Sequence, residues 1–240
     1  MANRAVFLDR DRTIIEDPGY MSDPSAVKLL PGADLAIKSL RQAGYVVVVV
    51  TNQSGIARGL LTEDALEKIH AEMRRQLLAG GAHVDAIHYC PYHPEGTVEK
   101  YAVDSDLRKP KPGMLLKGAE ELDIDLAASW MVGDGARDIE AGQRAGCRTI
   151  RVRAGEHEVP GDPDDQAVQA DFTVRNLLEA AKLILQSPAR VAAGRVSGPP
   201  PATGAGRETS GANQHMTDRE ILLEILQCVR QLARERQGNG

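Results

Sequence analysis

Two aspartates one residue apart, Asp9 and Asp11 in "AVFLDRDRTI", directly follow an apolar run that reads as the end of a buried strand. Further along, Thr51 and Asn52 close the run "YVVVVVTN", Lys109 sits in "RKPKPGM", and Asp134 and Asp138 follow another short apolar run in "VGDGARD". In open parallel sheets, ligands gather at the carboxyl ends of the strands, so these residues are expected to converge there. Together they could perform phosphoryl transfer. One carboxylate would be the nucleophile, a second the general acid, and the acids would form a metal site, with a hydroxyl and an ammonium to hold phosphate oxygens. Singly, an aspartate at a strand end is more often a helix cap or loop residue, and a lysine before proline is usually a solvated side chain. Order and spacing together favour the chemical reading.

The elements that must position these groups alternate in type. Short apolar runs at Ala5–Leu8, Tyr45–Thr51, Ala86–Cys90, Ser129–Val132 and Thr149–Val152 are separated by helix-like segments at Gly32–Gln42, Thr62–Leu78, Gly113–Leu122 and Asp138–Ala145. The segment "DFTV" followed by Arg175–Gln186 reads as a last strand and closing helix. The run of five valines lacks polar alternation, as a strand buried on both faces should. This rhythm predicts an α/β fold, a Rossmann-like parallel sheet with helices on both faces. The intervals Thr13–Gly32 and Gly55–Lys109 leave no room for a large cap domain. Residues 1–186 are expected to form the catalytic domain. Residues 187–215, rich in Gly, Pro, Ser, Ala and Thr, read as a disordered linker. Residues 216–240 open on a capping box, Thr217 to Glu220, and repeat apolar residues at Leu222, Ile225, Val229 and Leu232. Such an amphipathic helix needs cover, from another copy, a partner protein meeting residues 216–236, or its own domain.

The 240 residues carry a formal net charge of −5, and no basic-aromatic stretch is present, which disfavours nucleic acid as a partner. Cys90, Cys147 and Cys228 are far apart, and neither a signal peptide nor an apolar stretch of membrane-spanning length is seen. A cytoplasmic protein without membrane contact is the expectation.

The motifs "DRDRT", "VVTNQSG", "RKPKP" and "VGDGARD" resemble, in order, the four motifs of haloacid dehalogenase superfamily phosphatases. With "YCPYHPEG" and "ASWMVGD", residues 3–186 are similar to the group of D-glycero-D-manno-heptose 1,7-bisphosphate and histidinol-phosphate phosphatases. The resemblance implies Mg²⁺-dependent phosphomonoester hydrolysis of a phosphorylated sugar or similar small molecule. Asp9 would form an aspartyl-phosphate, and Asp11 would serve as general acid and base. Asp9, Asp11 through its main-chain carbonyl, and Asp134 would bind Mg²⁺. Thr51, the Asn52 backbone and Lys109 would hold the phosphoryl group, with Arg108 and Arg58 on the remainder of the substrate. The 7-phosphate of the heptose bisphosphate is the best-matched target; histidinol phosphate and a catalytically impaired, ligand-binding fold are the alternatives.

Two positions depart from the group. Arg12 stands where it has glycine, so the turn aiming the aspartates carries a side chain that resists left-handed backbone and could reach Asp11 or a phosphate. Members of the group also hold zinc with a Cys-x-His and a Cys-x-Cys pair. Here Cys90 matches the first ligand, but Tyr92 takes the histidine position beside His93, and Ser105 and Leu107 take the cysteine positions. A tetrahedral site cannot be closed by what remains, and zinc is not expected.

Overall fold

In the computed structural model, residues 2–153, 168–187 and 217–238 are described. The linker expected over 187–215 lies outside them apart from Ser187, as does the side chain of Leu232.

Six strands form one parallel sheet: β1 (Ala5–Leu8), β2 (Val46–Asn52), β3 (Ala86–Cys90), β4 (Trp130–Gly133), β5 (Arg148–Val152) and β6 (Phe172–Val174). Their spatial order is β3-β2-β1-β4-β5-β6. The chain builds outward from β1 in one direction, then returns to β1's other edge and builds the opposite way. Topology therefore reverses between β1 and β4, where the helices diverge and leave a crevice at the carboxyl ends.

The valine run is buried as its composition predicts, because alternate side chains enter two different cores. Val6, Leu8, Val47 and Val49 pack on one side with α1 (Ala33–Gln42), α2 (Glu63–Ala79) and α5 (Leu177–Gln186). Ala5, Phe7, Val48 and Val50 pack on the other with Met114 and Leu115 of α3 (Gly113–Glu121) and Ala141 of α4 (Ala136–Ala145). Helix starts follow capping chemistry: Thr62 Oγ1 accepts from Ala65 N–H at 3.1 Å to open α2, and Asn176 Oδ1 accepts from Glu179 N–H at 3.0 Å to open α5. Helix α4 begins two residues before the expected Asp138, which places that aspartate inside its first turn.

No domain is inserted between the elements among the described residues. The interval between β1 and α1 holds one short 3₁₀ turn, Pro24–Ala26, and that between β3 and α3 another, Glu99–Tyr101. The last helix, α6 (Asp218–Gly238), is not free-standing. It lies against α5 and α1, burying Ile221 and Ile225, while Lys182 Nζ meets Glu224 Oε2 at 2.7 Å. The stripe that needs cover thus finds part of it in its own chain, and Leu223 and Leu226 stay exposed. No described helix is long and apolar enough to cross a membrane.

Candidate active site

The strand ends deliver their acidic residues to the crevice between β1 and β4. Asp9 N–H donates to Val132 O at 2.9 Å, continuing the sheet ladder one residue past β1. The chain then turns sharply: Ile14 N–H donates to Arg10 O at 2.9 Å and Arg12 N–H to Ile15 O at 2.8 Å. Within this turn Arg12 has φ 57°, the left-handed conformation for which glycine is suited.

Lys109 ties together the end of β1, β2 and the first turn of α4. Its ammonium, 3% exposed, reaches Asp9 Oδ1 at 2.7 Å, Asp138 Oδ1 at 2.6 Å and the Val50 carbonyl at 2.7 Å. Burial alone would lower the lysine pKa, but Asp138 and Asp9 reverse this and raise it, so the group stays a cation. Asn52 holds the main chain of Lys109: its Nδ2 donates to Lys109 O and its Oδ1 accepts from Lys109 N–H, both at 3.0 Å. Asp138 is fixed in turn, since its Oδ2 accepts from Gly135 N–H at 3.1 Å at the start of α4. Gly133 makes room for it: a Cβ there would lie 2.4 Å from Asp138 Cγ.

Asp11 is held by a different set of groups. Arg10 grips its carboxylate, with Nε 3.0 Å from Oδ1 and the Nη2 nitrogen 3.1 Å from Oδ2, and Gln53 Nε2 donates to Oδ2 at 3.0 Å. Thr51 Oγ1 accepts from the same Gln53 amide at 2.8 Å and lies 3.5 Å from Asp11 Oδ2. Behind Arg10, His70 Nε2 is 3.2 Å from the Nη1 nitrogen. Burial, then Arg10 and Arg74, pull the His70 pKa down to about 3, so the ring is neutral and accepts this bond. Arg10, Gln53 and His70 are roles that residue-by-residue reading missed. An arginine placed between two strand-end aspartates, with a glutamine two residues after a strand-end threonine, is the signal available for the first two; nothing local marks His70.

Asp9, Asp134 and Asp138 bring carboxylate oxygens within 4.8 Å of one another. Burial and Asp138 push the Asp134 carboxyl up to about 6 against the opposing pull of Arg12 and Lys109, and burial and Asp138 raise Asp9 well above its usual range. A set of hard oxygen donors with unbalanced negative charge suits a divalent cation such as Mg²⁺. Asp138 already spends both oxygens on Lys109 and Gly135, and the Asp11 carboxylate spends its own on Arg10 and Gln53. Lys109 engages one oxygen of Asp9 and Arg12 one oxygen of Asp134, so these carboxylates could hold such a cation. Arg12 differs from the alternatives read in sequence: its Nη1 nitrogen ion-pairs with Asp134 Oδ2 at 3.0 Å.

Beyond the acids lies a basic rim. Arg58 meets His93 Nε2 at 3.3 Å, and Arg108 donates to Tyr92 O at 3.4 Å. Burial and the nearby Arg137 and Arg58 lower the Arg108 pKa, the mark of crowded positive charge. An open cleft of about 220 Å³ beside Asp11, Asn52 and Gln53 is lined also by Tyr20, whose side chain is largely exposed. At the end of β3, Cys90 is buried and donates to Tyr92 O, in the loop that follows, at 3.8 Å. The Tyr92 and Tyr101 rings are 6.0 Å apart, and Leu107 packs on the second core.

Comparison with known proteins agrees with this geometry. Residues 106–180 match the HAD-hydrolase-like family. The D-glycero-beta-D-manno-heptose-1,7-bisphosphate 7-phosphatase of Pasteurella multocida (strain Pm70) is 41% identical over 182 residues, 75% of this chain and 96% of its own length. The protein of that name from Escherichia coli (strain K12) is 41% identical over 181 residues, 75% of this chain and 93% of its own. A crystal structure of D,D-heptose 1,7-bisphosphate phosphatase from B. bronchiseptica, complexed with magnesium and phosphate, superposes with TM-score 0.63 and 36% identity, covering 76% of this chain and 98% of that one. The chain therefore belongs to the HAD-like phosphatases, in the family whose curated members are named heptose bisphosphate 7-phosphatases.

Proposed function

We propose that this phosphatase removes the 7-phosphate of D-glycero-D-manno-heptose 1,7-bisphosphate through an aspartyl-phosphate on Asp9, with Mg²⁺ as cofactor. The observation that carries the mechanism is the buried chain Asp9–Lys109–Asp138 at the topological switch point, beside Asp134 and Thr51. Lys109 stays charged there and holds Asp9 and an incoming phosphoryl oxygen in one place, and Asp138 orients Lys109. Held by Asp9, Asp134 and the main-chain carbonyl of Asp11, Mg²⁺ would supply the positive charge that lets an anionic nucleophile approach an anionic ester.

Asp9 Oδ attacks phosphorus as the ester oxygen leaves, and Asp11 gives that oxygen its proton. Asp11 then takes a proton from the water that splits the aspartyl-phosphate. Arg10 and Gln53 aim the Asp11 carboxyl, while Thr51 and the Asn52 backbone contribute donors to the phosphoryl oxygens. The rim of Arg58 and Arg108 suits a second anionic group on the substrate, which a sugar bisphosphate has and histidinol phosphate lacks. The similar heptose bisphosphate phosphatases favour the same choice.

The test is phosphate release from a panel containing the heptose bisphosphate, other sugar bisphosphates and histidinol phosphate, with Mg²⁺ and with chelator, for wild type and Asp9→Asn. Release from the heptose substrate that needs both Mg²⁺ and Asp9 supports the reading. Near-native turnover by Asp9→Asn sinks the covalent mechanism, a preference for histidinol phosphate sinks the substrate, and no turnover of any substrate by folded wild type returns the impaired-fold alternative.

A further inference from the structure

We infer that Arg12 competes with Mg²⁺ for Asp134, so that this chain binds the cation more weakly than it would without the guanidinium. The inference rests on the reading of Asp134 as an Mg²⁺ ligand given above. Arg12 grips Asp134 Oδ2 at 3.0 Å. Its side chain is 35% exposed against 16% for Asp134. The guanidinium thus reaches in from solvent and can swing out when a cation arrives.

Charge accounting points the same way. The carboxylates Asp9, Asp11, Asp134 and Asp138 are ion-paired with the cations Arg10, Lys109 and Arg12. Arg12 already places one positive charge beside Asp134, so it reduces the negative charge that a divalent cation would meet there. The tethered cation therefore reduces the electrostatic gain on binding and must also give up its ion pair. Its backbone adds a second, separable effect, because φ 57° burdens any residue with a Cβ.

Isothermal titration of Mg²⁺ alone into metal-free full-length protein tests this without reference to turnover. Arg12→Ala deletes the charge but keeps a Cβ in the left-handed turn, and Arg12→Gly relieves both. Both should bind Mg²⁺ about three- to tenfold more tightly than wild type, the scale of a partly exposed ion pair. Arg12→Lys, which retains a cation, should stay nearer to wild type, and Asp134→Ala should lose most binding. Unchanged or weaker affinity in Arg12→Ala overturns the inference, as does a gain confined to Arg12→Gly, which would assign the effect to the turn. Should Asp134→Ala titrate like wild type while folded, the ligand reading falls and this inference with it.

Discussion

Replacing Lys109 by methionine keeps the length and apolar stem of the side chain and removes one buried charge. Asp9 Oδ1 and Asp138 Oδ1 then lose bonds of 2.7 and 2.6 Å, and the Val50 carbonyl loses its donor at 2.7 Å. Breaking a buried pair by deleting one partner costs about 3–5 kcal/mol, because the remaining charge is left without compensation. For a domain of this size that corresponds to a fall in Tm of about 6–20 °C at pH 7.5 without Mg²⁺. The origin of the cost can be checked through its sign with pH. Asp9 and Asp134 are already raised by burial and by Asp138, and without the lysine their folded-state pKa values rise further. A carboxyl whose folded pKa exceeds its unfolded one takes up protons on folding, so the variant gains stability relative to wild type as pH falls through the folded pKa. Differential scanning calorimetry of both proteins at pH 7.5 and 5.5 should show the deficit shrinking by about half at the lower pH. A variant melting within about 3 °C of wild type at pH 7.5, or a deficit that persists undiminished at pH 5.5, refutes the view that Lys109 is chiefly the counter-charge of two buried acids.

Other consequences are equally direct. His70 is held neutral with a pKa near 3, whereas the unfolded chain protonates it near 6.5, so stability present above pH 6.5 is lost as pH falls below it, by about 1 kcal/mol at pH 5.5. His70→Gln keeps an acceptor for Arg10 without that titration, and denaturant melts at pH 7.0 and 5.5 should show a smaller loss for it; equal losses would discard the assignment. Ile225→Asp should undock α6 by placing a charge on its buried face, seen in circular dichroism as lost helix on the scale of 21 residues, while Leu223→Asp on the exposed face leaves the signal unchanged. Elemental analysis of purified protein should find no stoichiometric zinc, because Tyr92, Ser105 and Leu107 cannot replace the missing ligands; one zinc per chain would overturn that.

Much of the architecture was legible before any coordinates, because it depends on local periodicity. The uninterrupted valines of β2 can be satisfied only between two apolar layers, and the βα alternation then leaves parallel strands and right-handed crossovers as the economical solution. The positions of Asp9, Asp11, Thr51, Asn52 and Asp134 at strand ends or beside them were likewise legible, since the carboxyl end of a parallel strand is where a chain can present polar groups without breaking the sheet. The partners of these groups were not. Asn52 was read as a source of main-chain donors, yet its amide clasps the backbone of Lys109, 57 residues away in sequence. Arg12 pairs with Asp134 rather than Asp11, across 122 residues. His70 enters the site from the middle of α2, where its spacing is that of any buried helix position. The apolar stripe of α6 announced a need for cover, and only packing decided that α5 and α1 provide part of it. Pattern along the chain determines which faces are apolar and where polar groups emerge. Which carboxylate meets which cation depends on strand order and helix placement, because ion pairs form through space and leave no period in the sequence.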